Sequence, residues 1–308
     1  MISESTYTFN RIIIYSVVFI FEIFGIFGNI NLIILTYRKK SLQTKSGLLL
    51  MILAIFHCIC LGFEYVSMGF GIASSFYNYP IHRRLCFYTM LPHIFSHCLQ
   101  TGIILQLSFD LFLAICIPSK HFMFNTRIYL PIIFIPAILY GIVTLILGVY
   151  YLDDQIIPMC NPPSALVESI SNFWYIIMFI FSFLTLVFYI STFGILYYKS
   201  RMKVSIPRLE LKAMKTLKVI ILIFLFARLL SIFLVNVIVH FGFSDDIVTL
   251  AKNYNVICAM VVFSQNAYVC YFRSTEYRAL FNEQFGIKLK RADKFCFTTV
   301  HVTTNNNI

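Results

Sequence analysis

The chain of 308 residues is too apolar to be a soluble domain, because 59% of its residues are hydrophobic and only 12% are charged, with a net charge of +11. A soluble domain carries about 25% charged residues, so this composition excludes one and indicates a protein that crosses a membrane several times. The apolar runs are long and do not alternate with polar residues, which favours membrane-spanning helices over a barrel of strands.

Seven apolar runs are each long enough to cross a bilayer as a helix. In chain order, the predicted spans are residues 11–37, 46–74, 85–117, 127–151, 172–198, 211–241 and 247–272. The first run is longer than the core of a signal peptide and has no small-residue cleavage site, so we expect it to be retained as a span. The last residues of the chain are polar and are expected to be disordered.

The distribution of positive charge orients the bundle. Of the 24 lysines and arginines, 19 lie in the tail and in the loops after spans one, three and five, four lie on the opposite side, and Arg228 lies inside span six. Basic loops stay in the cytoplasm, so residues 1–10 are predicted to be an extracellular N-terminus, residues 11–272 the transmembrane domain and residues 273–308 a cytoplasmic tail. Topology and attraction to anionic membrane lipids explain the net charge without nucleic acid as a partner.

One part of this charge forms a basic inner rim between spans five and six. The rim consists of Lys199, Arg201, Lys203, Arg208, Lys212, Lys215 and Lys218. Attraction to lipid headgroups explains such residues, and a surface that docks a cytoplasmic protein would use the same region.

Nine cysteines are distributed along the chain. Only Cys86 and Cys160 are predicted to face the oxidising exterior, so we expect them to form a disulfide that ties span three to the loop of residues 152–171. Cys296 lies on the cytoplasmic side, where it is expected to stay reduced or to carry a lipid. The other six are interpreted as small apolar side chains in or beside the spans. The cysteines show no zinc-site spacing, so no metal and no cofactor is predicted.

Span three carries a polar stripe. His93, His97 and Gln100 are separated by four and three residues, which places them on one face of a helix. Polar side chains within a span almost always point into the bundle. Two interpretations stay open for them, contact with a ligand and hydrogen bonding to neighbouring helices. Trp174 and Tyr175, at the start of span five, are interpreted as anchors at the outer interface.

Arg228 is the most unusual residue within a span. A guanidinium near the bilayer centre costs at least about 2.5–3.5 kcal/mol unless it faces the protein interior or an aqueous cavity. Glu22 and Glu64 are the carboxylates at comparable depth in other spans, and an ion pair with one of them is the favoured expectation. The alternative is that Arg228 receives an anionic or carbonyl-bearing ligand. Both interpretations hold if a ligand competes with the internal carboxylate for Arg228.

Short motifs with a shared spacing run along the whole chain. They are Gly28-Asn29, residues 53–57, residues 110–118, residues 266–270 and residues 276–281. In this spacing the chain resembles a rhodopsin-like seven-helix receptor. Residues 160–163 and 271–278 make it most similar to the nematode serpentine chemoreceptors of class Sx. The resemblance implies an all-α membrane protein, a bundle of seven transmembrane helices with its N-terminus outside and a short amphipathic helix after span seven.

The chain departs from this family pattern at several positions. The resemblance places the switch and G-protein-coupling motifs at Asp110, Leu111, Phe112 and Asn266. Leu111 and Phe112 stand where the pattern has arginine and tyrosine. Arg228 replaces the tryptophan of span six, and Ala267 replaces the proline of span seven. Without that proline the helix keeps its backbone hydrogen bonds, so the resemblance supports the fold more firmly than the usual activation mechanics.

Four polar residues are expected to form an interhelical polar core. They are Asn29, His57, Glu22 and Glu64. Asn29 is expected to bond across helices one, two and seven. His57 stands where the resemblance has a sodium-binding aspartate, and we expect it to be a hydrogen-bonding core residue, because a neutral imidazole avoids the cost of a buried charge. For Asp110, which has no arginine beside it, two interpretations stay open: pairing with a nearby base such as Lys120 or Arg127, and solvation at the interface.

Nothing in the sequence indicates an enzyme, since no glycine-rich phosphate loop, nucleophile triad or carboxylate pair at acid–base spacing is present. The resemblance implies a G-protein-coupled chemosensory receptor in the plasma membrane of a sensory neuron. Its partners would be an extracellular small molecule or peptide and a heterotrimeric G protein. The alternatives are a transporter or ligand-gated channel, and a receptor-like protein with weak G-protein coupling. A transporter would show internal repeats and matched charges along a path, which the sequence lacks.

Overall fold

The computed structural model describes residues 4–77, 79–202, 208–241 and 245–287. Its helices are α1 Glu4–Arg38, α2 Lys45–Tyr77, α3 Arg83–Cys116, α4 Pro118–Met123, α5 Thr126–Tyr150, α6 Pro162–Ala165, α7 Glu168–Arg201, α8 Arg208–His240, α9 Asp245–Arg273 and α10 Thr275–Gln284. Two short strands are β1 Ile81–His82 and β2 Ile156–Ile157, and a 3₁₀ turn covers Lys40–Leu42. Lys203 of the basic inner rim and Cys296, with both of its expected states, lie outside the described residues, and for Arg208 and Lys212 only the helical backbone is described.

The predicted seven-helix membrane fold is confirmed. Six helices in the described part of the chain, namely α1, α2, α3, α5, α7 and α9, are long and apolar enough to cross a membrane. Helix α8 covers the sixth predicted span, and α10 lies where the resemblance implies a helix after span seven. Helix α1 already begins at Glu4, before the predicted start of its span at residue 11. The predicted loop after span three contains the short helix α4.

A proline separates α3 from α4. The residue before a proline is disfavoured in the helical region of backbone space, and Ile117 accordingly has φ −132° and ψ 61°. Pro118 then occupies the first turn of α4, where its missing N–H would have no partner in any case. This break turns the chain at the inner end of α3 and brings α4 back beside it.

Helix α3 is the central helix of the bundle. It packs against α2, α5 and α7 and is the most buried of the six candidate spans. Helix α1 packs between α2 and α9, and α8 packs mainly against α9. Close approach of α3 to α5 depends on Gly102, since a Cβ there would lie 2.3 Å from the Cβ of Ala137. Small residues let helices in a membrane pack this closely.

The outer face is closed by the loop between α5 and α7. Its strand β2 pairs antiparallel with β1, so that Ile157 lies opposite Ile81. The predicted disulfide between Cys86 and Cys160 is formed, with the two Cα atoms 5.5 Å apart. The hydroxyl of Ser67 on α2 donates a hydrogen bond of 2.7 Å to the carbonyl oxygen of Cys160. We call residues 156–160 the outer strap, because these contacts fix it to α2, β1 and α3.

The helix after span seven packs against the inner ends of α1 and α9. Ser274 caps α10, because its Oγ accepts a hydrogen bond of 3.3 Å from the backbone N–H of Tyr277. Leu280 and Phe281 are buried, whereas Lys39 and Glu283 form a salt bridge of 2.8 Å on the surface. Helix α10 is therefore amphipathic and is fixed to the bundle by its apolar face.

Candidate functional site

The polar stripe of α3 lies inside the bundle. His93, His97 and Gln100 are each less than 10% exposed, as their spacing on one helical face predicts. The Nδ1 atoms of both histidines and the Oε1 atom of Gln100 are buried and have no hydrogen-bond partner among the described residues. A buried polar atom without a partner costs roughly 1–3 kcal/mol, so these three atoms form a potential binding site in the centre of the bundle.

Two carboxylates lie beside this stripe, on α1 and α2. The Oε1 atom of Glu64 lies 3.7 Å from Nε2 of His93, which is within ion-pair distance. Glu22 is fully buried and lies close enough to Glu64 and Tyr65 to interact with both electrostatically. Of the four residues predicted to form an interhelical polar core, Glu22 and Glu64 thus make up one group with His93.

Arg228 points into the bundle from α8. It lies one turn after Phe224 and two turns after Ile221, and both of these side chains are buried. Its guanidinium lies 5.6 Å from the centre of the Phe224 ring. Tyr140, Tyr175 and His97 are close enough to interact with it electrostatically.

The favoured expectation for Arg228, an ion pair with Glu22 or Glu64, is wrong. Within the described residues, Arg228 makes no ion pair with either carboxylate, and the side chain that lies within ion-pair distance of Glu64 is His93. The physical reason is the arrangement of the helices. Glu22 and Glu64 lie on α1 and α2, whereas the groups that surround Arg228 come from α3, α5 and α7.

Trp174 is part of the bundle interior, so the prediction of an interface anchor is wrong for this residue. It is only 3% exposed, and its ring centre lies 5.0 Å from that of His97. Its indole N–H lies 3.3 Å from Sγ of Cys98, and its carbonyl oxygen accepts a hydrogen bond of 2.7 Å from the hydroxyl of Tyr140. Polar partners inside the bundle thus replace the headgroups that an interfacial tryptophan would meet. The next residue, Tyr175, is 42% exposed.

A second polar layer joins α9 to its neighbours. The amide of Asn29 on α1 donates a hydrogen bond of 2.8 Å to the carbonyl oxygen of Phe263 on α9. Nδ1 of His57 on α2 lies 3.1 Å from the amide nitrogen of Asn266 on α9. Both hydrogen bonds are buried, so this layer ties α1 and α2 to α9 below the polar stripe.

At the inner end of α3, Asp110 is fully enclosed. It is 1% exposed and accepts hydrogen bonds from the hydroxyls of Ser46, at 2.7 Å, and Tyr129, at 3.0 Å. Nε2 of His121 on α4 lies 2.7 Å from its Oδ1 atom. The interpretation that Asp110 pairs with a nearby base is confirmed, although the base is His121 and not Lys120 or Arg127. The other interpretation, solvation at the interface, is wrong because the carboxylate is buried. The break at Pro118 turns α4 back and places His121, one position after Lys120, against it.

Leu111 and Phe112 are packing residues in this structure. Leu111 is buried in the inner hydrophobic core, and the ring of Phe112 lies 5.5 Å from that of Phe188 on α7. Nearby, Nζ of Lys199 donates a hydrogen bond of 2.5 Å to the carbonyl oxygen of Ile115, close to the end of α3. The position where the resemblance has an arginine is thus filled by an apolar side chain.

Sequence reasoning placed Trp174 at the interface and missed three further residues of these sites, namely Ser46, His121 and Tyr129. The last three surround Asp110 from α2, α4 and α5. No motif singles them out, because they come together only when the helices pack. A histidine three residues after the helix-breaking proline was the only available signal.

The family model of the serpentine type 7TM GPCR chemoreceptor Srsx matches residues 22–285, from the middle of α1 through α10. The chain belongs to this family. It is a G-protein-coupled chemosensory receptor and a multi-pass membrane protein, and the predicted family is confirmed. The family is one of receptors and not of enzymes, and nothing favours a transporter or a channel. No curated protein matches the chain.

Proposed function

We propose that this Srsx receptor binds an extracellular small molecule between α3, α7 and α8, at His93, His97, Gln100 and Arg228. The observation that carries this proposal is the row of buried polar atoms on α3 that lack a partner. A ligand with matching donors and acceptors would satisfy these atoms and remove the cost of leaving them unpaired. A small molecule suits the site better than a peptide, because the residues are deeply buried.

Binding at this site would change the balance between two states of the bundle. His93 makes an internal contact with Glu64, and His97 packs against Trp174 on α7. A ligand that competes for His93 or His97 would weaken one of these contacts between helices. A ligand shifts such an equilibrium only by its difference in affinity for the two states, so these contacts are where the difference would arise.

On the inner face, the receptor would engage a heterotrimeric G protein at the end of α3 and at the basic inner rim. Asp110, Leu111, Phe112 and Asn266 occupy the positions of the switch motifs. Since Leu111 offers no guanidinium to a G protein, coupling would depend on the surrounding surface and would be weaker than with arginine. The site of action would be the plasma membrane of a sensory neuron, where lipids contact the apolar face of the bundle.

The test is expression of the full chain in cultured cells with a second-messenger readout over a panel of water-soluble odorants. We expect a response that depends on a co-expressed G protein, and a larger response to the same compound in the Leu111→Arg variant. A matched control is Leu113→Arg, which places the same charge two positions further along α3. A current gated by the compound in cells that lack the G protein would contradict the proposal.

A further inference from the structure

The guanidinium of Arg228 lies among chemical groups whose arrangement the proposed ligand site does not by itself explain. Its side chain lies on the stripe of α8 that faces the bundle, while Phe226 and Leu229 on the same helix are 68% and 50% exposed and face away. The guanidinium is therefore held inside the bundle and is not directed at lipid. A charge in this position is costly unless an opposite charge meets it.

The groups around Arg228 that the structure describes do not supply that opposite charge. Within the described residues, no carboxylate lies within ion-pair distance of Arg228, and Glu22 and Glu64 are grouped with His93 instead. The neighbours of Arg228 are the ring of Phe224, the phenols of Tyr140 and Tyr175 and the imidazole of His97. A ring face attracts a cation only weakly compared with a carboxylate, so these described neighbours do not neutralise the positive charge.

His97, one of these neighbours, also contacts two further aromatic rings, and we call all of these rings together the aromatic wall. Trp174 packs against His97, and the ring of Phe263 lies 6.0 Å from His97 on another side. Ligand sites of this kind bury most of an apolar ligand and orient it with a small number of polar groups. The wall therefore suits an organic skeleton, and Arg228 is the group that would orient it.

We infer that the ligand is an organic anion that carries a single carboxylate, which binds the guanidinium of Arg228 while its apolar part lies against the aromatic wall. This inference rests on the ligand site proposed above and names the chemical class that the site takes. The planar guanidinium presents parallel N–H donors that match the two oxygens of a carboxylate. A phosphate monoester fits less well, because its second charge would need another cation, and the described neighbours of Arg228 include none with a fixed charge.

The chain carries its own reporter for this inference, since Trp174 is its single tryptophan and packs beside His97. The experiment uses the purified full-length receptor in lipid nanodiscs and follows tryptophan fluorescence. The probes are octanoate, cyclohexylacetate and phenylacetate, each paired with its primary amide, which keeps the shape and removes the charge. We expect saturable fluorescence changes with the carboxylates and an affinity at least about tenfold lower for each amide, as for the loss of a charged hydrogen-bonded pair.

The variants Arg228→Gln and Arg228→Lys test whether Arg228 is responsible for the preference for carboxylates over amides. We expect Arg228→Gln to abolish the preference for acid over amide, and Arg228→Lys to retain part of it, because lysine keeps the charge and loses the paired donors. Equal affinity for acids and amides in the wild type, an unchanged preference in Arg228→Gln, or no saturable response to any carboxylate at millimolar concentration would each overturn the inference. If Arg228→Gln does not fold, the acid–amide comparison in the wild type and in Arg228→Lys decides.

This experiment and the cell assay fail independently. Carboxylate binding to the purified receptor without a second-messenger response would contradict the proposed G-protein signalling but would not affect the inferred ligand class. A second-messenger response to uncharged compounds that is unaffected by Arg228→Gln would remove the ligand class and leave the receptor function standing.

Discussion

Nε2 of His121 lies 2.7 Å from Oδ1 of Asp110, which places a histidine of α4 against the carboxylate at the inner end of α3. In this receptor Leu111 follows Asp110, where the family pattern has an arginine. His121 therefore takes the place of that arginine as the basic partner of Asp110. We expect His121→Ala to destabilise the folded receptor by about 1.5–3 kcal/mol, because the buried carboxylate loses a hydrogen bond. The same change should raise basal second-messenger signalling. The measurements are thermal unfolding in detergent and basal signalling in cells.

The control for this prediction is Lys120→Ala, at the exposed neighbour of His121. This variant should change neither the unfolding temperature nor the basal signal. Equal effects of the two variants would show that α4 as a whole matters and that the contact with Asp110 does not.

The disulfide on the outer face should be essential for a stable receptor. Cys86→Ser or Cys160→Ser releases the outer strap from α3, and loss of a native disulfide costs about 2–5 kcal/mol. We expect a large loss of receptor at the cell surface, measured by labelling of an N-terminal tag on intact cells. Cys58→Ser, which changes a free and partly exposed cysteine, should leave surface labelling unchanged. Normal labelling of both disulfide variants would refute this expectation.

The contact between α3 and α5 should tolerate no added methyl group. In Gly102→Ala the new Cβ would lie 2.3 Å from the Cβ of Ala137, and relief of such overpacking typically costs about 1–3 kcal/mol. Gly62→Ala adds the same methyl group to α2, where no atom lies within 4 Å, and should be neutral or stabilising by up to about 1 kcal/mol through helix propensity. The measurement is thermal unfolding of the two variants. The unfolding temperature should fall in Gly102→Ala and should stay the same or rise in Gly62→Ala.

Helix α10 should be fixed by its apolar face and not by its surface salt bridge. Phe281 is buried, and Phe281→Ala is expected to cost about 3–5 kcal/mol and to detach the helix. Glu283→Gln removes the partner of Lys39, but exposed pairs contribute only about 0–1 kcal/mol. Limited proteolysis after α9 should therefore be faster in Phe281→Ala and unchanged in Glu283→Gln. Faster cleavage of Glu283→Gln alone would reverse this assignment.

The sequence predicted the fold well because the signals for membrane spans are local. Each span is a long apolar run, and the loops carry the charge that orients it. The disulfide was also predictable, since Cys86 and Cys160 are the two cysteines of the predicted outer side. These features need no knowledge of how the helices are rotated against one another.

The candidate site was predictable only in part, because rotation and tilt of the helices decide which residues meet. The spacing of His93, His97 and Gln100 fixed their common face, and the structure places that face inside the bundle. The partners of Arg228 and Asp110 lie on other helices, and depth in the membrane alone could not select them. Trp174 was assigned to the interface from its position near a helix end, although its neighbours in the bundle determine that it points inward.

The outer strap has a further consequence for binding. It is held by a disulfide to α3, by pairing of β2 with β1 and by the hydrogen bond from Ser67 on α2. A loop that is already ordered loses little conformational freedom when a molecule settles beneath it, so more of the contact energy remains as affinity. Preorganisation of this kind would favour recognition of one molecular shape over adaptation to many at the proposed ligand site.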